Sequence, residues 1–199
     1  MTLLTLASTS PARKKILSEA GIAFELLSPG VDEDALVEKE QPQSACDLTL
    51  LLAIAKGRAG ADLAQTELVL GCDSALEFEG EILGKPLIPE LAKERWMQMR
   101  GKSGVLHSGH HLIDRASGQE VSHCSMTKVY FADLTEAQID RYVATSEPLQ
   151  VAGAFTIDSI GGAYIERIEG DYHTVVGLSL TSLRKLTEQL GRSYESLWR

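Results

Sequence analysis

A chain of 199 residues, 44% hydrophobic and 24% charged, can build one soluble globular domain or two closely packed lobes. Its net charge of −9 speaks against non-specific nucleic-acid binding, and no apolar run is long enough for a membrane span. Basic residues follow the short N-terminal apolar run instead of leading it, so no signal peptide is expected and a cytoplasmic location is. Three distant cysteines, Cys46, Cys72 and Cys124, fit neither a disulfide frame nor structural zinc.

Leu3, Leu4 and Leu6 read as a short buried strand, and Ser8, Thr9, Ser10 and Pro11 as the capped start of a helix. A strand running into a helix N-terminus presents free N–H groups and the positive end of the dipole. With Arg13, Lys14 and Lys15 close behind, the stretch suits a polyphosphate, although an ordinary capped helix with a basic face would look the same. Gly21 ends that helix and residues 23–27 resume as a strand. Asp32, Glu33 and Asp34 read first as carboxylates decorating a helix start. Residues 45–64 form a long Leu/Ala-rich amphipathic helix, on which Lys56 is by default a solvated lysine.

The apolar run 67–72 ends in Gly71-Cys72-Asp73-Ser74, which places Asp73 at the C-terminal edge of a sheet strand, where open α/β sheets bind ligands. Glu79-Gly80 makes a hairpin turn and Gly84-Lys85-Pro86 closes it. A helix follows at 89–100, with Leu91, Trp96 and Met99 toward the core. Two strands come next, at 105–113 and 121–131. They carry His107, His110, His111 and His123, but His110 and His111 face opposite ways in a strand, so a partly solvated hairpin is expected instead of a metal centre. A helix starts at Thr135-Glu136. The glycine-rich stretch 151–180 reads as one or two buried strands, and 178–190 as a closing helix with Leu180, Leu183, Leu186 and Leu190 on one stripe. Residues 192–199 are expected to be loose, with Trp198 the one side chain offered for packing.

Taken in order, LASTSPARKKIL, VDE at 31–33, Lys56, GCDS, GEILGKP, GKS, EPLQVAGAF and IEGDYHTVVGLSL resemble the Maf family of nucleoside triphosphate pyrophosphatases, from Leu3 to about Leu190. The resemblance implies one domain over 1–199 with a Maf/ITPase-like (anticodon-binding-like α/β) fold: a mixed sheet and two lobes around a central cleft. It also implies hydrolysis between the α- and β-phosphates to a nucleoside monophosphate and pyrophosphate, a divalent cation (Mg²⁺ or Mn²⁺), and a homodimer. Carried over residue by residue, Ser8, Ser10, Arg13, Lys14, Lys56 and Lys85 would bind phosphate. Glu33 and Asp73 would hold the metal, and Asp73 would take the proton of the attacking water. The positions thought to read the base are Ala12, Ser74 and Asp158, and none follows the best-known family patterns. A nucleotide preference is therefore not transferable. A nucleotide-sensing regulator of cell division with little turnover is the alternative, but a pure binder has no need of Glu33 and Asp73.

Overall fold

The computed structural model describes residues 3–199. Those residues form a mixed α/β structure with seven strands in one sheet and seven α-helices. The strands are β1 (Leu4–Ala7), β2 (Phe24–Leu27), β3 (Leu68–Phe78), β4 (Glu81–Leu83), β5 (Ser103–Asp114), β6 (Gln119–Phe131) and β7 (Ile165–Glu169). Their order is β2-β1-β3-β5-β6-β7, with β4 added to β3. The chain divides into two compact units. The first runs through Asp73 and takes in Ser108–Ser125 and Gly177–Arg199; the second comprises Ser74–His107 and Met126–Val176.

In the first unit, β1 is buried along its whole length and pairs in parallel with both β2 and β3, Leu4 opposite Phe24 and Leu68, Ala7 opposite Leu27 and Gly71. Parallel neighbours need a crossover, and helix α1 (Pro11–Glu19) supplies it between β1 and β2. Helix α2 (Glu33–Glu40) is capped by Asp32, whose Oδ1 accepts the Ala35 N–H. Helix α3 (Ala45–Ala61) turns Thr49, Leu52, Ala53, Lys56, Gly57 and Gly60 inward, a stripe at spacings of three and four. This stripe lies directly on the sheet. A Cβ on Gly60 would come 2.7 Å from Ala7 Cβ, and one on Gly71 would overlap the Ala53 carbonyl and stand 2.5 Å from the Gly57 nitrogen. Helix α7 (Leu180–Gln189) buries Leu183 and Leu186 and is followed by buried Leu190, while Leu180 is half-buried.

The expected loose tail is instead ordered. Tyr194–Leu197 forms a 3₁₀ turn, Leu197 is buried, and Trp198 bridges Ile22. The Ala23 N–H donates to the Leu197 carbonyl and the Arg199 N–H to that of Gly21. Arg192 reaches Asp114 Oδ2 at 2.9 Å and Glu67 Oε2 at 2.7 Å. The segment is short and polar, so its order comes from these pairings and not from any period in its own sequence.

The second unit is built round Trp96 of helix α4 (Pro89–Met99), which packs edge-on against Phe131 and Tyr142 and donates its indole N–H to the Ala154 carbonyl. Tyr142 comes from helix α5 (Glu136–Ala144), started by a Thr135–Gln138 capping box. Leu91 is only half-buried, unlike Trp96 and Met99. The hairpin β3–β4 turns as expected at Glu79-Gly80, both at positive φ. The stretch 151–180, expected as one or two buried strands, opens instead with 3₁₀ turns at Ala152–Ala154 and Ile160–Tyr164 and holds one strand that is not buried. The half-exposed β7 and the short helix α6 (Tyr172–Val176) follow. Its glycines explain the difference: Gly153 has φ of 71° with Leu76 against its Cα, and Gly161 leaves no room for a Cβ beside the Tyr142 hydroxyl.

Candidate active site

The turn from β1 into α1 is shaped by its own hydroxyls. Ser10 caps α1 by accepting the Arg13 N–H at 3.4 Å, and Pro11 occupies the first turn without wasting a donor. Ser8 Oγ accepts from the Ser10 N–H at 3.2 Å and from Arg13 Nη1 at 3.3 Å. With both lone pairs used, its own hydroxyl proton is what the side chain has left to donate. No acidic residue lies in the first turn of α1 to oppose an anion. Ser8, Thr9, Ser10, Pro11 and Lys14 line a hollow of about 440 Å³ with Leu26, Leu27 and Ser28 from the end of β2. Lys14 is exposed there, whereas Arg13 is only 8% exposed and its Nε donates to the Gly177 carbonyl at 2.8 Å.

Lys56 and Asp73 meet because α3 and β3 do. The contact of Gly57 with Gly71 brings the helix backbone onto the strand, one residue after Lys56 and two before Asp73. Lys56 Nζ then sits 2.6 Å from Asp73 Oδ1 and 2.8 Å from Glu33 Oε1. Lys56 is thus a buried lysine, not a solvated one, and the stripe of three and four through Leu52 and Ala53 was the signal for it. Asp73 is not at the end of its strand, because β3 continues to Phe78. The parallel partner β1 stops opposite Gly71, however, so Asp73 lies just past the end of that ladder, and antiparallel β4 takes up pairing only at Leu76.

The Cys72 thiol, next to Asp73 on β3, feels the charges of Arg13, Asp73 and Lys56. Burial first, with Asp73 assisting, pushes that thiol up to about 12, so it is no nucleophile. Lys85, Ser74 and Asp158 belong to the second unit. Lys85 is exposed, on backbone pinned where the Gly84 carbonyl accepts from Arg95 and from the Gly153 N–H. Ala12 is half-buried on α1. Ser74 and Asp158 are half-buried as well.

Sequence reasoning missed Glu147, which organises the segment bearing Asp158. Its carboxylate accepts from the Tyr142 and Thr156 hydroxyls and from the Ile160 and Gly161 N–H groups. Burial alone would raise its pKa, but these bonds and one from Ser159 outweigh it and bring it down to about 2. Only a Glu-Pro pair marks it in the sequence, which is no signal for such a role.

The histidines are more buried than expected. His107, His110 and His111 are 5%, 0% and 2% exposed, because β5 is a central strand between β3 and β6; His123 alone is exposed. They do face opposite ways: His110 Nε2 accepts the Ser179 N–H, while His111 Nδ1 pairs with Ser122 Oγ and its ring packs at Gly57. Among the described residues no three His, Cys, Asp or Glu side chains are grouped to hold a metal.

This α/β protein thus has hydroxyl and cationic donors at the start of α1, and a lysine that bridges Asp73 of the adjoining strand β3 to Glu33 at the start of α2. A family model described as Maf-like protein matches residues 3–190. Similar chains include one from Salinispora tropica, 48% identical over 98% of this chain and 87% of its own length. Another, from Leifsonia xyli, is 48% identical over 98% and 96%. A third, from a Synechococcus species, is 47% identical over 94% and 99%. All three bear the name nucleoside triphosphate pyrophosphatase. The chain belongs to the Maf family.

Proposed function

We propose that this protein hydrolyses nucleoside triphosphates between the α- and β-phosphates, releasing a nucleoside monophosphate and pyrophosphate and so clearing unwanted nucleotides from the pool. The observation that carries the reading is the buried Lys56 ammonium held between Asp73 and Glu33 at 2.6 and 2.8 Å, with Asp73 on a strand paired with the β1 that leads into Ser8, Ser10 and Arg13, and the names of its relatives agree with it. A triphosphate brings about three to four negative charges, and water attacking phosphorus must overcome that field. Arg13, whose Nε and Nη1 donate to the Gly177 carbonyl and Ser8 Oγ, carries a planar guanidinium of the kind that grips phosphate oxygens. Ser8, Ser10 and Lys14 add donors at the positive end of α1, and Lys85 is the further cation proposed to bind phosphate. Asp73 takes the proton from the attacking water as the anhydride bond to the pyrophosphate oxygen breaks.

Glu33 and Asp73 fit a hard divalent cation such as Mg²⁺ or Mn²⁺. Both already reach one cationic nitrogen, so their oxygens are no farther apart than the two distances to Lys56 combined. Two carboxylates with no third side chain match an ion that completes its shell with substrate phosphates and water. When bound, the cation neutralises charge on the phosphate oxygens. Ala12, Ser74 and Asp158 are the positions proposed to meet the base. A homodimer and a cytoplasmic setting complete the proposal, in keeping with the absence, among the described residues, of any helix long and apolar enough to cross a membrane.

The test is incubation with canonical and modified triphosphates and Mg²⁺, with product identification. Pyrophosphate release that is lost in Asp73→Asn and on chelation of the metal supports the proposal. Orthophosphate as the product overturns it. Tight binding without turnover overturns it in favour of the nucleotide sensor.

A further inference from the structure

Arg13 lies on α1, but its guanidinium is held in part by the far end of the chain. Its Nε donates to the Gly177 carbonyl at 2.8 Å. Two residues on, Ser179 is 1% exposed and caps α7 by accepting the Ser182 N–H. The Ser179 N–H needs a partner inside the protein, and it finds one side-chain atom, His110 Nε2, at 2.8 Å. His110 sits on central strand β5 and is fully buried. A rigid strand thus holds the segment 177–179, and that segment holds the guanidinium.

We propose that His110 is a positioning residue for Arg13: by accepting the Ser179 N–H it fixes the Gly177 carbonyl, which aims the guanidinium at the phosphate chain. The inference rests on the phosphate role proposed for Arg13. It demands one state of the ring. Nε2 accepts, so the proton is on Nδ1, and a charged ring would offer a donor where an acceptor is needed. The surroundings enforce this. Burial first, then the Arg13 charge and that of His123, bring His110 down to about 4, although backbone carbonyls of His123 and Ser108 partly favour the proton. Nδ1–H has no hydrogen bond of good geometry, a cost that an apolar residue would not carry. A histidine kept here at that cost is consistent with the acceptor being what the position requires.

A second motif is Gly177 itself, at φ of 122°, where a Cβ-bearing residue is strained. Its carbonyl direction is therefore set by backbone that few other residues adopt, and the hydrogen bond two residues later keeps it there.

The experiment has two independent arms. In ¹⁵N-histidine-labelled wild-type protein, His110 is expected to show the Nδ1–H tautomer and no titration between pH 5 and 8. An Nε2–H tautomer, or titration near pH 6.5, overturns the proposal whether or not the enzyme is active. In the kinetic arm, His110→Phe removes the acceptor and His110→Gln restores one at nearly the same reach. His110→Phe is expected to lower kcat/KM for pyrophosphate release on the order of tenfold, with His110→Gln recovering most of it. In an Arg13→Ala background His110→Phe is expected to cost almost nothing more, since both act through one group. Full additivity of the two, or an undiminished His110→Phe enzyme, overturns the link. Undiminished turnover in Arg13→Ala alone would instead overturn the phosphate role of Arg13, so the two failures are distinguishable.

Discussion

Lys56 holds Asp73 and Glu33 with one ammonium, at 2.6 and 2.8 Å, and it does so from the buried face of a helix. Replacing it with methionine keeps the volume and removes the cation, leaving two carboxylates that repel across the site. Pyrophosphate release is expected to fall about 100-fold, the scale of losing one preorganised charge at a reacting centre. Steady-state rates at saturating Mg²⁺ would measure it, and a rate within a fewfold of wild type would show that Lys56 only fills space.

The Gly71–Gly57 contact predicts a stability defect where no catalytic atom is changed. Gly71→Ala must push α3 off β3, since its Cβ would strike the Ala53 carbonyl and the backbone of Gly57. A loss of about 3 kcal/mol in denaturant unfolding is expected. Gly80→Ala, in the open hairpin turn, provides the contrast: there a Cβ meets no atom and only the positive φ opposes it, so about 1 kcal/mol is expected.

Glu147 predicts an acid-sensitive term. Its folded pKa of about 2 lies below the ordinary 4.5, so it adds stability that is fully present above pH 4.5 and is lost as pH falls through 2. Because the group is partly exposed, about 1–2 kcal/mol is expected. Unfolding of wild type and Glu147→Gln should differ by that amount at pH 7 and converge near pH 2. A constant difference across that range would place the effect in packing instead of charge.

Arg192 predicts that the tail is structural. Burial alone would raise the Asp114 carboxyl, but Arg192 with the Ala116 and Ser117 N–H groups brings it below its ordinary value. Arg192→Met leaves Asp114, 2% exposed, without its cation, and a cost of about 2 kcal/mol is expected. The contribution is present above the ordinary pKa of 3.8 and fades as pH falls below it. Thermal unfolding at pH 7 and at pH 3 would read both.

The elements that carry a local period were legible: the capped start at Ser10-Pro11, the long helix through Lys56 and the hairpin at Glu79-Gly80 all stand where their residues put them. So were the acidic helix start at Asp32 and the opposed faces of His110 and His111. What was not legible depends on partners far away in sequence. Leu197 is ordered by Ala23, Asp73 stands mid-strand because β3, set between β1 and β5, outruns β1 and continues to Phe78, and the glycines at 153 and 161 mark close packing rather than strands. Glu147, although it opens the EPLQVAGAF stretch, carried no signal for its role, because four of its donors are chosen by tertiary structure and not by spacing. The meeting of Lys56 with Asp73 needed two glycines to be recognised as mates across a helix and a strand.

The first unit is assembled from three separate stretches, the last of them beginning at Gly177, and its cationic site leans on that stretch through Gly177 and Ser179. On the ribosome, therefore, Arg13 is synthesised early, yet the Gly177 carbonyl that its Nε grips emerges more than a hundred and fifty residues later. The second unit is complete in sequence by Val176 and is free to collapse first. A nascent chain would stay catalytically silent until its final helix docks, and activity would appear as one late event, not in proportion to length.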